Sequence, residues 1–272
     1  MRNLVLYALP YITPVVFILG CGYRLAIWLR PPAPLKIPVT PAPTTRRGIV
    51  ARYLSEVLVF RTLFAEDKAL WLASWVFHVT FAFVIGGHVM GILFSDALSE
   101  WLNLKPGQYD NFSAIVGGHL GVLILLPLVY LLARRLRQER VRYVSHRGDY
   151  FALFLLIAIV LTGDSMRFRW WLYSGPIWQW LGFHNVDIPP VDLRDVHNFV
   201  IGLITLHWRL APGGTAFVWH FFLVNVLVMY LPFGKLMHAG GIFFSPTRNQ
   251  RSNPRDQRHL NPWDESEAAP NG

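Results

Sequence analysis

Charged residues in this chain gather into clusters, and between the clusters lie apolar runs of the length a helix needs to cross a bilayer, about 20 residues. The first is the 20-residue run 4–23, which follows Met1, Arg2 and Asn3 and carries Pro10 and Pro14. The second, 69–95, contains no Asp, Glu, Lys or Arg. The third covers 111–133 and the fifth 210–234, both also free of those residues. The fourth begins at 150–163 and reaches spanning length only by taking in Asp164 and the aromatic stretch through Trp171, which sets that carboxylate inside the membrane or at its edge. A 13-residue run, 196–208, is too short to cross and fits a helix lying on the surface. The pattern predicts an all-α membrane protein with five transmembrane helices and a short interfacial helix before the fifth.

The connecting segments divide just as clearly. Residues 24–68 hold 8 Lys/Arg against 3 Asp/Glu and include PPAPLKIPVTPAPTTRR, which is too rich in proline for a helix and reads as an extended, partner-facing connector. Helical periodicity with a basic face returns over 49–64, as expected of a segment at the interface before the second span. The stretch 167–209 is the least regular, with Trp170, Trp171, Trp178 and Trp180 where an interfacial aromatic belt is expected. A signal peptide is the competing reading of 4–23. Its single preceding Arg and the lack of an evident small-residue cleavage site favour a span. The expected division is a membrane domain over 1–244 and a polar cytoplasmic tail over 245–272, draped on a partner.

Charge sets the orientation. The composition is 53% hydrophobic with mean hydropathy +0.35, and the net charge of +9 does not point to nucleic acid because the basic residues collect at alternate ends of the apolar runs. Segments 24–68, 134–149 and 235–272 hold 8, 6 and 5 of them, 19 of the 25 in all. Five spans put these three segments on one side, which the positive-inside rule makes cytoplasmic. The expected location is the cytoplasmic (inner) membrane, multi-pass, with a periplasmic N-terminus and a cytoplasmic C-terminus. The lone Cys21 excludes an internal disulfide, a cysteine-held iron–sulfur cluster and c-type haem attachment, and within an apolar span it reads as a packed thiol.

Ionisable side chains inside hydrocarbon are functional candidates by default. SWVFHVTFAFVIGGHVMG, residues 74–91, sets His78 and His88 ten residues apart, about 280° round a helix and about 15 Å along it. His220 lies in the fifth run and His238 follows it, 18 residues on, which on one continuous helix is five whole turns and about 27 Å. Two histidines on each of two helices is the arrangement needed to hold two haems, one axial ligand per helix per iron. Depth pairs His78 with His238 for an inner haem and His88 with His220 for an outer one. The unequal lengths call for different tilts or a bend at Pro232. Gly86, Gly87 and Gly91 are expected to leave room for a flat macrocycle, although glycine also serves plain helix contacts. The bland alternative is a set of hydrogen-bonded core histidines. His119 is a further candidate near a quinone or in a structural role. His197 and His207, also ten apart on the short helix, are candidates for an outer site or a proton relay. Asp164 is either a proton acceptor or a partner of Arg167 or Arg169, and those arginines could equally hold propionates. His146, His184 and His259 read as loop residues.

The sequence resembles the di-haem cytochrome b family of the respiratory nitrate reductase gamma subunit. The likeness rests on Phe77-His78 with Gly87-His88-Val89-Met90-Gly91, and on His220 with Leu231-Pro232-Phe233, Lys235-Leu236 and His238. It runs over 4–239, including the Arg-rich turn after the third span. The Pro-rich loop, the short surface helix and the tail HAGGIFFSPTRNQRSNPRDQRHLNPWD depart from that subunit, and the tail is similar to the M subunit of the Dsr membrane complex of dissimilatory sulfur metabolism. The resemblance implies two haem b and electron exchange between the quinone/quinol pool and a cytoplasmic iron–sulfur subunit of the heterodisulfide-reductase type, with further membrane and periplasmic subunits and no nucleic acid. Where the nitrate reductase branch has a quinol-site lysine, this chain has Gln108 or Tyr109, with Lys105 nearby, so the quinone and proton candidates are Lys105, Tyr109, His119, Asp164, His197 and His207. The function expected is a quinone-linked oxidoreductase subunit. Its alternatives are a gamma subunit of a nitrate reductase-type complex, or a transporter or assembly anchor without haem.

Overall fold

The protein is described here from a computed structural model, which covers residues 2–30, 38, 40–105, 108–167, 191–245, 248 and 250–252. No strand occurs among these residues. Five helical segments are long and apolar enough to span a membrane. The first is a π-helical turn, Leu4–Ala8, continued by α1, Leu9–Leu29. The others are α4, Lys68–Leu93; α6, Gln108–Arg137; α8, Arg147–Arg167; and Thr215–Tyr230, labelled α10, which a 3-10 turn, Leu231–Phe233, prolongs. Short helices lie between them: α2, Arg46–Leu58; α3, Arg61–Glu66; α5, Ser95–Trp101; α7, Glu139–Val144; and α9, Leu193–Ile204. The aromatic belt expected at Trp170, Trp171, Trp178 and Trp180, most of the Pro-rich connector and the tail from 253 lie outside the described residues.

The spans pack in the order α4, α6, α8, α10, α1, each antiparallel to its neighbours except where α1 returns beside α10. Leu128, Leu153 and Leu156 fill the α6–α8 contact, with Phe77 of α4 and Leu227 of α10 against them. Outward faces carry side chains such as Ile18, Phe83 and Leu126, each more than 60% exposed, which is what lipid contact requires where no water can solvate a polar group. One end of the bundle, called inner after the charge count, is tied by ions. Asp67 caps α4 by accepting from Leu70 N at 2.9 Å and pairs with Arg134 of α6 at 3.6 Å. At the other, outer end, α9 lies across the helix termini. It buries Val196, Phe199 and Leu203 on Leu6 and Phe217, and Phe199 is fully buried.

α1 is held by polar contacts along its length. Thr13 Oγ1 donates to Asn225 Oδ1 of α10 at 2.7 Å, Tyr11 OH to the Leu203 carbonyl at 2.9 Å, and Arg24 Nε to the Pro232 carbonyl at 3.0 Å.

Two expectations about helix continuity are corrected. The segment 49–64 is two helices, because Phe60 adopts the left-handed conformation, φ 51°, and breaks the chain between α2 and α3. The helix bearing His220 does not run on to His238. It ends at Tyr230, passes through the turns Leu231–Phe233 and Lys235–Met237, and His238 begins a separate turn, His238–Gly241. Pro232 removes a helical hydrogen bond and Gly234 is extended, so His220 and His238 do not stand on one continuous helix.

At Gly121, α6 lies close against Asp164 of α8. A Cβ there would overlap the carboxylate of Asp164, which is 7% exposed. Gly121→Leu is therefore expected to force the two helices apart and destabilise the bundle by about 1–3 kcal/mol, as overpacking generally does. The check is the thermal unfolding midpoint of the purified chain in detergent, and an unchanged midpoint would contradict this packing.

Candidate functional site

His78 and His88 project from α4, and their rings meet rings from the far side of the bundle. His78 stands opposite His238, with ring centroids 5.9 Å apart and planes nearly perpendicular at 87°. His88 stands opposite His220 at 6.2 Å with planes 16° apart. The outer pair lies between α4 and α10, and the inner pair between α4 and the turn that follows α10.

Every one of the four rings is oriented by a main-chain carbonyl at Nδ1. His78 reaches Ser74 O at 2.7 Å and His88 reaches Val84 O at 2.7 Å, each one turn back along α4. His220 reaches Ile159 O of α8 at 3.0 Å, with Thr162 Oγ1 at 3.2 Å, and His238 reaches Lys235 O at 2.9 Å. A carbonyl only accepts, so Nδ1 carries the proton and Nε2 keeps a lone pair to offer a metal. His119, His197 and His207 share the Nδ1–carbonyl bond, to Ile115 O, Ile92 O and Thr205 O. That bond therefore does not single out a ligand. What sets His78, His88, His220 and His238 apart is the opposed ring.

The donor set can be tested against haem. Metal–imidazole bonds of about 2 Å on opposite sides of one ion, with about 1 Å more from each nitrogen to its ring centre, put the centroids roughly 6 Å apart. Both pairs stand at that separation. Among the described residues no group of three or more His, Cys, Asp or Glu gathers that could hold a bare ion. Two imidazoles suit an iron whose other four positions are filled by a macrocycle, so the residues fit axial ligation of haem.

The surroundings of the two pairs differ. Phe60 and Phe77 set their rings edge-on to His78 at 5.1 Å each. At the outer pair, Gly163 lets the His220 ring lie on α8, since a Cβ would stand 3.1 Å from its Cε1. The glycines expected to make room turn out otherwise. Gly86 and Gly87 are 200° and 100° round α4 from His88 at 100° per residue. They open, with Val79, Ala82 and Phe83, onto a groove of about 340 Å³ away from the rings. Gly91 packs on Tyr109, whose hydroxyl would lie 3.3 Å from a Cβ there.

The remaining candidates are dispersed over the outer half. His197 donates to the Ile92 carbonyl at 2.6 Å, closing the end of α4 and fixing α9 on it. His207 is not on the short helix, which stops at Ile204. It lies in the turn beyond, after Leu206 with φ 60°. Lys105 is exposed, and its backbone N–H meets Gln108 Oε1 at 2.7 Å. Asp164 forms no ion pair with Arg167 among the described residues, and Arg169 lies outside them. Sequence reasoning passed over Asp149. It is buried at the start of α8, 2.7 Å from Lys235 Nζ and 3.7 Å from Arg135 Nη1. The available signal was an acid set where the Arg-rich segment 134–149 meets the fourth apolar run.

Comparison with known proteins adds a separate line of support. Residues 45–251 match the nitrate reductase gamma subunit family. The chain is 32% identical to the Hdr-like menaquinol oxidoreductase cytochrome b-like subunit of Archaeoglobus fulgidus, covering 94% of this chain and 82% of that one. The Archaeoglobus profundus protein of the same name is 29% identical, covering 98% and 84%. The respiratory nitrate reductase 1 gamma chain of Escherichia coli is 28% identical, covering 65% and 74%.

Proposed function

The chain belongs to the nitrate reductase gamma subunit family, and from that premise we propose that it carries electrons between a quinol at the outer side of the membrane and an iron–sulfur partner at the cytoplasmic side. It is a multi-pass membrane protein and a quinol-linked electron-transfer subunit of a larger complex. The observation that carries the proposal is the two opposed pairs of histidine rings, at 5.9 and 6.2 Å, set between α4 on one side and α10 with the turn after it on the other.

In this reading His78 and His238 ligate an inner haem b, and His88 and His220 an outer one. Haem supplies reversible one-electron chemistry when bound. The chain does the rest. Four carbonyls hold the Nδ1 protons and aim each Nε2, so that two imidazoles would be available to hold each haem. Tyr109, Lys105, His119, Asp164, His197 and His207 are the groups of the outer half that can bind a quinol and take its protons as its electrons leave. Protons released outside while electrons move inward separate charge, worth about 2.3 kcal/mol per charge per 100 mV.

In this reading the docking side is the inner end, where α2 meets the described residues of the connector and of the tail. Tyr53 of α2 donates to the Ile242 carbonyl at 3.0 Å and its ring stacks on Phe243, and Ser252 N meets the Pro43 carbonyl at 2.9 Å. The partner is a soluble iron–sulfur subunit of the heterodisulfide-reductase type, within a Dsr-type complex of sulfur metabolism.

The purified chain is expected to carry two b-type haems by pyridine haemochrome assay, and a quinol-site inhibitor to shift the spectrum or potential of the outer haem alone. A colourless chain would sink the electron-transfer reading in favour of a transporter or anchor. An inhibitor that perturbed only the inner haem would move the quinone site to the cytoplasmic side.

A further inference from the structure

The two members of the inner pair are held in different ways. His78 is mid-helix, and its Nδ1 is oriented by α4's own backbone at Ser74. His238 has no long helix beneath it. It opens a four-residue turn, and its Nδ1 is oriented by the carbonyl of Lys235, within a 3-10 turn that follows an extended glycine. Such a turn has few hydrogen bonds of its own and needs an external anchor to keep one orientation.

The anchor is on α8. Lys235 Nζ lies 2.7 Å from Asp149 Oδ2, and that carboxylate, 5% exposed, also accepts from His146 N at 3.0 Å, which fixes it to its own helix start. Five residues before Lys235, Tyr230 OH donates to the Gly148 carbonyl at 3.1 Å. Both ends of the segment that crosses from α10 to His238 are thus fastened to residues 148 and 149. Arg135 stands 3.7 Å from the same carboxylate, but no bond leads from it to His238.

We propose that Asp149 is the positioning residue of the inner site, setting the ring of His238 through the ammonium and then the main-chain carbonyl of Lys235. The inference rests on His238 being a ligand. Residues that orient a metal ligand from behind raise its basicity and fix its angle, and losing one weakens metal binding by about 10–100-fold. The outer pair has no counterpart, because His88 and His220 both stand on long helices.

The test compares D149N with K235Q in the full chain, following inner and outer haem occupancy and midpoint potential by redox titration. A tether is cut equally from either end, so both variants are expected to retain the inner haem about 10–100-fold more weakly, or to shift its potential in the same direction, with the outer haem unchanged. A charge effect alone does the opposite: losing the carboxylate raises the potential and losing the ammonium lowers it. D149E, which keeps the ion pair, is expected to keep the inner haem, and it carries the test if D149N fails to accumulate. R135Q is expected to leave the inner haem in place. Opposite shifts from D149N and K235Q, or no shift, or loss of both haems together from each, overturn the inference. A wild-type chain without haem overturns the proposed function itself, whereas a wild-type chain with both haems and unaltered variants overturns only the role of Asp149.

Discussion

Replacing His78 or His238 with alanine is expected to remove one haem and the same haem, leaving the other in place; replacing His88 or His220 is expected to remove the second. The argument is geometric. Each ring has one opposite number, at 5.9 or 6.2 Å, and the two α4 rings are separated by ten residues, about 15 Å of helix, so neither can substitute in the other's pair. An iron that loses one of two imidazoles keeps a single protein bond, in a bundle where no third His, Cys, Asp or Glu gathers beside the pair among the described residues. The haem-to-protein ratio should fall from two to one in all four variants, and low-temperature spectra should sort them into two classes of two. If the variants at His78 and His88 lost the same haem, the pairing by depth would be wrong.

The second large effect concerns orientation. A periplasm-active reporter fused after Ser95 is expected to work, and one fused after Gly272 to be silent. Of the 25 basic residues, 19 fall in segments that five spans put on one side, and insertion machinery reads Lys and Arg in short loops. The structure gathers the described part of that charge at one end of the bundle, where Arg24, Arg134, Arg135 and Lys235 meet carbonyls and the carboxylates of Asp67 and Asp149. At the opposite end Leu6, Ile92 and Phe217 pack under α9, and the described charges around them are mixed, with Asp96, Glu100, Asp110, Asp192 and Asp195 beside Lys105, Arg194 and Arg209. The reverse reporter pattern would exchange the inner and outer labels and move the quinol site to the cytoplasm.

The five spans were legible because each is an apolar run bounded by charge, a signal set by the thickness of hydrocarbon and independent of packing. Boundaries shifted where charge and membrane compete: α1 runs on to Leu29 past Arg24, whose guanidinium finds the carbonyls of Pro232 and Phe233. What the sequence hid were contacts between distant segments. The count of 18 between His220 and His238 reads as five helical turns, and only the break at Pro232 and Gly234 reveals that His238 belongs to a turn pinned by Asp149. Gly86 and Gly87 sit beside His88 in the sequence yet face away from it, since adjacent residues on a helix point about 100° apart. The opposition of the rings follows from antiparallel spans; their use as haem ligands is our proposal.

The hydrogen bond between Thr13 and Asn225 joins residues 212 positions apart, so it bears on how the protein is made. At about 5–20 residues per second, the ribosome needs roughly 10–40 s after the first span emerges before Asn225 exists at all. During that wait α1 sits in lipid with a hydroxyl that water cannot reach. Thr13 Oγ1 is also 2.9 Å from the Leu9 carbonyl, so its own helix takes the proton until α10 arrives. Asn225 is likewise held by its own helix, through the Phe221 carbonyl at 2.7 Å. First and last spans can therefore enter the membrane with these two side chains already bonded within their own helices, keep those bonds, and gain the Thr13–Asn225 bond only on docking, a step that must wait until the last span has been made.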